Sequence, residues 1–417
     1  MGGNPLTYAF YPILFLALFY ETFLLLTFLS RPAKRSRARA RALHTPRVAL
    51  IVPCYNEEKT LAKTAESVLA LDYPADKLRL ILVNDGSTDG TAKAMEAFAG
   101  NPRVTLIHQE NGGKHIALNV GIGAASDAEF VGCVDADSYL APDALKRTLA
   151  CFTDEKIAAA FSSIIIGEPR GMLEHMQGAE YLMGSYFRHA LASINAFFVT
   201  PGPFSVYRRA VLDEIGGFRY GQQTEDMEMA MRLLRHGYAI ENAPAAIVVT
   251  KAQDTLQKLV RQRMRWASGY LRNVWFDYRD LLSRKHGFLG LFVLPMGILT
   301  PFFMVATLML SVYLSASGIV RYVAAHEGVP LAWSVSRASR FSLDWFYLPT
   351  DVLTLLTALI IGLGVLSAFL GKRISGTKER AVPSIIAYSL LYGFVAPVWY
   401  LRSLIDVSTG TRRGWRD

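Results

Sequence analysis

Residues 47–91 read "RVALIVPCYNEEKTLAKTAESVLALDYPADKLRLILVNDGSTDGT". Two short runs of aliphatic and β-branched residues, one after Arg47 and one after Lys77, each end in turn-forming residues. Between them "KTLAKTAESVLAL" places its apolar residues at helical spacing. The alternation continues through "RVTLIHQ" (103–109), "HIALNVGIGAAS" (115–126) and "EFVGCVDADS" (129–138). Strand, helix, strand, repeated, predicts a parallel sheet covered by helices. In such folds functional groups gather at the carboxyl ends of the strands.

Outward from this domain the composition changes. The chain has 417 residues, 52% of them hydrophobic, with a mean hydropathy of +0.24, high for a soluble protein. Residues 8–29, "YAFYPILFLALFYETFLLLTFL", are long enough to cross a bilayer and carry only Glu21 as a charge. The basic run "SRPAKRSRARARALH" (30–44) follows, the reverse of a secretory signal's order. The positive-inside rule therefore predicts an external N-terminus, with residue 31 onward in the cytoplasm. Beside a transmembrane helix, this run is read as a membrane flank and not as a nucleic-acid site.

Further on, Phe288–Val320 is an uncharged run interrupted by Pro295 and Pro301, so its first part is a candidate to lie in the interface. Residues 345–370 and 381–401 supply two more candidate spans, joined by the basic loop "GKRISGTKERA". One span before the domain and three after it predict an external C-terminus, yet the tail "TGTRRGWRD" (409–417) is basic. Count and charge conflict there. The net charge of +9 suits anionic lipid and an anionic substrate alike. Cys54, Cys133 and Cys151 are too scattered for a disulfide framework or a zinc site.

Four acidic clusters mark the candidate chemistry: "YNEE" (55–58), "NDGSTDG" (84–90), "DADS" (135–138) and "TED" (224–226). Any one of them is explained by turns and helix caps. Their position after apolar strands is more informative. Read as a continuing strand, Asp135 and Asp137 share a face, and two carboxylates there suit a hard divalent cation that also takes substrate phosphates. Such a cation offsets charge on a departing diphosphate. A hydroxyl acceptor must also lose a proton as it attacks, and Glu225 and Asp226 are the candidate bases, Asp226 preferred. Thr224 is the expected N-cap of the helix that follows, and Gly237 its stop.

Residues 256–266, "LQKLVRQRMRW", form an amphipathic helix just before the chain becomes apolar. Arg263 and Arg265 offer guanidinium forks for phosphate, and Trp266 a flat apolar face for a sugar. Gln262 and Arg265, three apart, share a helix face. The sequence supports both an interface helix and a phosphate ligand on that helix.

Taken in order, "VPCYNEE", "VNDGSTDGT", "NGGKHIALN", "VDADS", "TPGPFSVYRR", "TED" and "QRMRW" resemble the membrane-embedded family 2 glycosyltransferases. That group holds the cellulose, chitin, hyaluronan and poly-N-acetylglucosamine synthases. The resemblance covers roughly residues 47 to 270 and implies an α/β GT-A domain, Rossmann-like and nucleotide-sugar-binding, on the cytosolic side of flanking transmembrane helices. It also implies a UDP-sugar donor, with UDP-GlcNAc or UDP-Glc favoured, and Mg²⁺ or Mn²⁺.

By resemblance, Tyr55, Glu57, Asp85, Lys114 and Asp135 belong to the nucleotide-sugar site and Asp137 binds the metal; Arg263 is placed with the nucleotide-sugar residues on its guanidinium chemistry. Asp226 is the implied general base, with Glu225 beside it, consistent with inversion and a β-linkage. Gln262, Arg265 and Trp266 cap the diphosphate and border the acceptor, while Gly202 and Pro203 lie near the acceptor sugar. The expected product is a β-linked polysaccharide extruded across the plasma (inner) membrane; the alternative is a single transfer to a membrane lipid. Fewer apolar runs than some hyaluronan synthases, and a short stretch after the last of them, favour a small exopolysaccharide or poly-N-acetylglucosamine-type synthase. An accessory subunit or oligomer is left open. The expected divisions are a transmembrane helix (1–30), a basic cytoplasmic linker (31–46), the GT-A domain (47–250), interface helices (251–287), a C-terminal transmembrane region (288–405) and a basic tail (406–417).

Overall fold

The computed structural model describes residues 5–30, 45–325, 351–378 and 380–411. The expected basic run 31–44, the start of the third apolar run (345–350) and the end of the tail (412–417) lie outside the described residues.

The predicted alternation folds as β1 (Val48–Cys54), α2 (Leu61–Leu69), β2 (Leu78–Asp85), α3 (Thr91–Glu96), β3 (Val104–Gln109), α4 (Lys114–Ala124) and β4 (Phe130–Cys133), after α1 (Phe10–Leu29). These four strands are parallel, with β1 flanked by β2 and β4. Successive residues of β1 face opposite sides, and both sides are buried. Ala49 and Ile51 join a core with Val83, Leu118 and Tyr186, while Leu50 and Val52 join another with Leu61, Val68 and Leu80. A near-continuous apolar strand is what burial on two faces requires.

The second half was less legible. It contributes β5 (Tyr139–Leu140), α5 (Ala144–Leu149), β6 (Ile157–Ile166), α6 (Met172–Ser193), β7 (Ser205–Arg208), α7 (Arg209–Ile215), α8 (Glu225–Arg235) and β8 (Ala239–Thr250). β7 inserts antiparallel between β4 and β6, giving the order β3-β2-β1-β4-β7-β6-β8-β5. The sheet is therefore mixed, not purely parallel.

After the sheet come α9 (Leu256–Arg272), α10 (Leu294–Ala325), α11 (Val352–Ser375) and α12 (Ala381–Ser408). Among the described residues, four helices are long and apolar enough to cross a membrane: Leu6–Leu29, Leu289–Ala325, Val352–Ser375 and Ala381–Ser408. The interruption expected at Pro301 does not occur; a π-helical turn, Leu289–Val293, leads into α10 and Pro301 lies within it.

The last helix differs from the other three, because it runs along the domain. Ser384 Oγ meets His175 Nδ1 of α6 at 3.2 Å near one end. At the other end, Arg272 of α9 donates to the carbonyls of Asp406 (2.8 Å) and Thr411 (2.7 Å). Between these contacts Ala396 and Trp399 pack on Val260 and Met264 of α9. The opposite face exposes Val382, Ile386, Leu390, Phe394 and Ile405 in one stripe.

Candidate active site

The carboxyl ends of β1, β2 and β4 open onto a cleft of about 1440 Å³, with α9 and the end of α12 on its far side. Tyr55, Glu57, Asp85, Lys114, Asp135 and Asp137 line it from the sheet, and Gln262 and Arg265 from α9. Residues separated by some 200 positions in sequence thus share one wall-to-wall space.

Each strand end is shaped by local chemistry. After β2, Gly86 turns with φ +68°, and a Cβ there would lie 2.6 Å from the Asn111 nitrogen. That turn brings the 109–113 segment onto Asp85, whose carboxylate accepts from Gln109 Nε2 (2.7 Å) and from the amides of Gly112 and Gly113 (both 2.9 Å). Glu57 accepts from Thr60 Oγ1 at 2.5 Å, and its own amide donates to Thr91 Oγ1.

Asp135 and Asp137 do reach the same cleft, but the strand reasoning behind that expectation does not hold. β4 ends at Cys133, and the Ser138 amide closes a turn onto the Asp135 carbonyl at 3.0 Å. A tight turn, and not a two-residue period, points both carboxylates inward. Burial, then the charges of Asp135 and Glu57, push Asp137 up to about 6.

Lys114, first residue of α4, bridges two carboxylates. Its Nζ is 2.7 Å from Asp135 Oδ1 and 2.8 Å from Glu225 Oε1. Burial alone would lower its proton affinity, but the two partners outweigh it and hold Lys114 charged well above its usual range. The same pair holds Glu225 ionised below the usual carboxylate range, although burial opposes this. Gly202 sits against the bridge: a Cβ there would lie 2.8 Å from Lys114 Nζ and 2.9 Å from Asp135 Oδ2. Pro203 follows, half-buried and off the cleft lining.

Gly202→Ala is therefore expected to push the Lys114–Asp135 pair apart. The expected weakening of donor binding is about tenfold, roughly one hydrogen bond of ~1.4 kcal/mol, read by titration of nucleotide sugar.

Asp226 stands one residue beyond Glu225 in the first turn of α8, half-buried and off the cleft lining. The Thr200 amide and hydroxyl both donate to its backbone carbonyl (3.2 and 2.7 Å), tying the 200–203 turn to this helix start. Burial, then the neighbouring Glu225 charge, push its carboxyl up to about 6. Thr224 lies at the N-cap position without the expected cap bond: its hydroxyl donates to the Gly221 carbonyl and accepts from Asn273 Nδ2. Gly237, φ +82°, follows the helix end as expected.

On α9 the helical period separates residues that the sequence reading grouped together. Gln262 and Arg265 both face the cleft, as three-residue spacing predicts. Arg263, two residues before Arg265, points to the opposite side. Its Nη2 is 2.8 Å from Glu180 Oε2 of α6, and its guanidinium lies over the Trp266 ring, 4.2 Å from the centroid. The nucleotide-site expectation for Arg263 is thus not met by the structure, and two positions of a helix differ by about 200°, so the spacing itself held the signal. Trp266 accompanies Arg263 and is half-buried off the cleft lining.

Several cleft residues gave no sequence signal. Tyr220, Gln222 and Gln223 line it from a loop in which Gly221, Gln222 and Gln223 all have positive φ. Arg265 Nη1 donates to the Gln223 carbonyl there, at 3.3 Å. Arg261, Arg272 and Arg402 make the α9–α12 side cationic, facing the carboxylates across the cleft.

The family description "glycosyltransferase like family 2" matches residues 46–269 of this chain, more than half of it. The chain belongs to the family 2 glycosyltransferases. Among curated relatives, the poly-beta-1,6-N-acetyl-D-glucosamine synthase of Staphylococcus aureus (strain COL) is 31% identical over 242 residues, 57% of this chain and 58% of that protein. The protein of the same name from Staphylococcus epidermidis is 31% identical over 236 residues, 55% of this chain and 56% of its own. The matched region thus spans little more than half the length of these relatives. Among solved structures, the mannosyltransferase PcManGT from Pyrobaculum calidifontis, in complex with GDP-Man and Mn²⁺, has a TM-score of 0.55 at 22% identity. That likeness covers 90% of this chain and 99% of that one. The fold of this family 2 glycosyltransferase is GT-A, carried with four apolar helices long enough to span a membrane.

Proposed function

We propose that this family 2 glycosyltransferase transfers a sugar from a UDP-sugar, UDP-GlcNAc favoured over UDP-Glc, to a growing β-linked polysaccharide. The supporting observation is the convergence on one cleft of strand-end carboxylates, Lys114, Gln262 and Arg265, with Asp226 next in sequence to Glu225 of the Lys114–Glu225 bridge. The named relatives are poly-beta-1,6-N-acetyl-D-glucosamine synthases, which supports the choice of sugar.

In this reading Tyr55, Glu57 and Asp85 form the nucleotide end, and Asp85 acts by holding the 109–113 loop in shape. Gln262 and Arg265 bind the diphosphate. Asp226 accepts the proton of the acceptor hydroxyl as that oxygen attacks the anomeric carbon from the face opposite the leaving group. The bond to the diphosphate breaks, UDP departs, and the configuration inverts. Gly202, Pro203 and Trp266 remain the proposed acceptor border.

The donor set fits a divalent cation, Mg²⁺ or Mn²⁺, with Asp137 as its protein ligand. Asp135, Asp137 and Glu57 crowd like charges in a part-buried place, and a cation relieves that repulsion. Among the described residues no group of three or more His, Cys, Asp or Glu side chains is spaced to enclose an ion alone. That favours an ion completed by substrate phosphates. When bound, it offsets charge building on the departing diphosphate.

The orientation proposed for the plasma (inner) membrane keeps the cleft on the cytoplasmic side. Because α12 bonds to α6 at one end and to α9 at the other, it is read as lying along the membrane surface, leaving three crossings. Residue 411 then lies on the cleft side, the side that the charge of the sequence after it predicts, which removes the conflict between span count and charge. A cysteine at Ser408 is expected to resist impermeant thiol reagents in intact cells and to react in inverted vesicles. Labelling from outside would restore four crossings.

The deciding experiment is UDP release by the protein in nanodiscs, with each common UDP-sugar and Mg²⁺ or Mn²⁺, and products sized. Turnover of one donor that stops on chelation and yields a long product is expected. A single sugar on lipid would replace the polymer reading by the lipid one. No turnover with any donor would overturn both.

A further inference from the structure

Arg263 is only 4% exposed, and it makes contacts in three directions. One guanidinium nitrogen, Nη2, pairs with Glu180 Oε2 at 2.8 Å, and the other, Nη1, donates to Gln262 Oε1 at 3.0 Å. The plane of the group covers Trp266 at 4.2 Å, with the Tyr181 ring 6.0 Å away. Burying an ion pair stabilises a fold no better than apolar packing of the same volume would. What such a pair does provide is a fixed geometry among the groups it touches.

We infer that the Glu180–Arg263 pair is a clamp that fixes Gln262 and Trp266 relative to each other, and so joins the donor cleft to the acceptor border. Glu180 and Arg263 are positioning residues here, acting through the two side chains they hold. The inference rests on the reading above, in which Gln262 serves the donor and Trp266 the acceptor.

The chemistry of each contact gives the clamp its direction. With Oε1 engaged by Arg263, the side-chain groups that Gln262 has left to offer the cleft it lines are its amide N–H donors. That presents donors and not an acceptor to an anionic ligand. Stacking under a planar guanidinium sets the tilt of the indole ring, which a point charge would leave undetermined. Glu180 comes from α6, near the middle of the helix that packs on α11 and α12, so the clamp also ties α9 to that wall. A lysine at 263 keeps the charge and the pairing with Glu180. It cannot fork to Glu180 and Gln262 together, nor lie flat on Trp266.

The test compares Arg263→Lys and Glu180→Gln with the wild-type full-length chain in nanodiscs. At saturating acceptor, kcat is expected to fall about tenfold or more, since small misplacements of positioning groups are costly to rate. The donor KM should rise by no more than about threefold, the share carried by Gln262, because Asp85, Asp137 and Arg265 are untouched. Combining either variant with Trp266→Phe should lower kcat by less than the product of the two separate losses. Independently of turnover, fluorotryptophan incorporated into the protein gives a ¹⁹F resonance for Trp266, assigned by its loss in Trp266→Phe. That resonance should shift or broaden in Arg263→Lys and in Glu180→Gln.

An unmoved resonance in both variants, or a loss of kcat that adds to that of Trp266→Phe, would overturn the clamp. Glu180→Gln, which keeps side-chain volume and a hydrogen-bonding group, decides the matter if Arg263→Lys does not fold. Were the wild-type chain to turn over no nucleotide sugar, the functional reading would fall, while the resonance would still decide the clamp.

Discussion

Asp226→Asn is expected to lower transfer by about 10²–10⁴-fold, the usual worth of a positioned general base, while nucleotide-sugar binding survives. Asparagine keeps the oxygen that accepts from the Met227 amide at 2.8 Å, so the start of α8 is retained. The Thr200 contacts are to the backbone of residue 226 and are retained as well. The Lys114–Asp135 and Lys114–Glu225 pairs do not involve residue 226, which is why donor affinity should hold. Calorimetric titration with donor, beside a turnover assay, separates the two effects. Loss of donor binding in this variant would count against the base role.

The pH profile offers an internal check on the same group. A general base works as the carboxylate, and burial with the Glu225 charge has moved Asp226 upward to about 6. Wild-type activity is therefore expected to be full above that value and lost as pH falls through it. An unperturbed carboxylate would hold activity to about pH 4.

Arg265→Ala is expected to weaken donor binding by about 2–5 kcal/mol, or roughly 30- to 5,000-fold, the cost of truncating one partner of a buried charge pair. Arg265 is half-buried on the cleft wall and donates to the Gln223 carbonyl at 3.3 Å. Arg265→Lys should fall between the two, keeping the charge and losing the fork. The loss should be large for UDP-sugar and UDP and small for uridine, which lacks the diphosphate. Unchanged affinity for all three would reduce α9 to an interface helix.

The first four strands and their helices were legible in the sequence because each carries a local pattern. β1 and β2 are apolar on both faces, the helices repeat at 3.6 residues, and Asn, Asp and Gly mark the turns where the cleft begins. The acidic clusters stand at the ends of those strands, so the sequence groups Glu57, Asp85, Asp135 and Asp137, and all four line one cleft. The seven family motifs, in order, supplied the rest of that assignment.

Other features depend on contacts between distant segments, and no local pattern encodes them. The antiparallel insertion of β7 between β4 and β6 pairs residues of β4 and β7 that lie 72 to 78 positions apart. The Lys114–Glu225 bridge joins segments 111 positions apart, and Glu180 meets Arg263 across 83. The loop at 220–223 owes its shape to positive φ angles held by Asn273, a residue with nothing in its neighbourhood to announce it.

For the membrane part, composition alone determined that four stretches are apolar enough to cross. Hydropathy is a sum along the chain and does not see what a helix leans on. Only the tertiary structure shows α12 bonded to α6 at one end and to α9 at the other, with one face on α9 and the other turned outward. The same physics separates Arg263 from Arg265. Charge and residue type were plain in the sequence, but burial and partner choice depend on which surfaces meet, and those are decided when the chain packs.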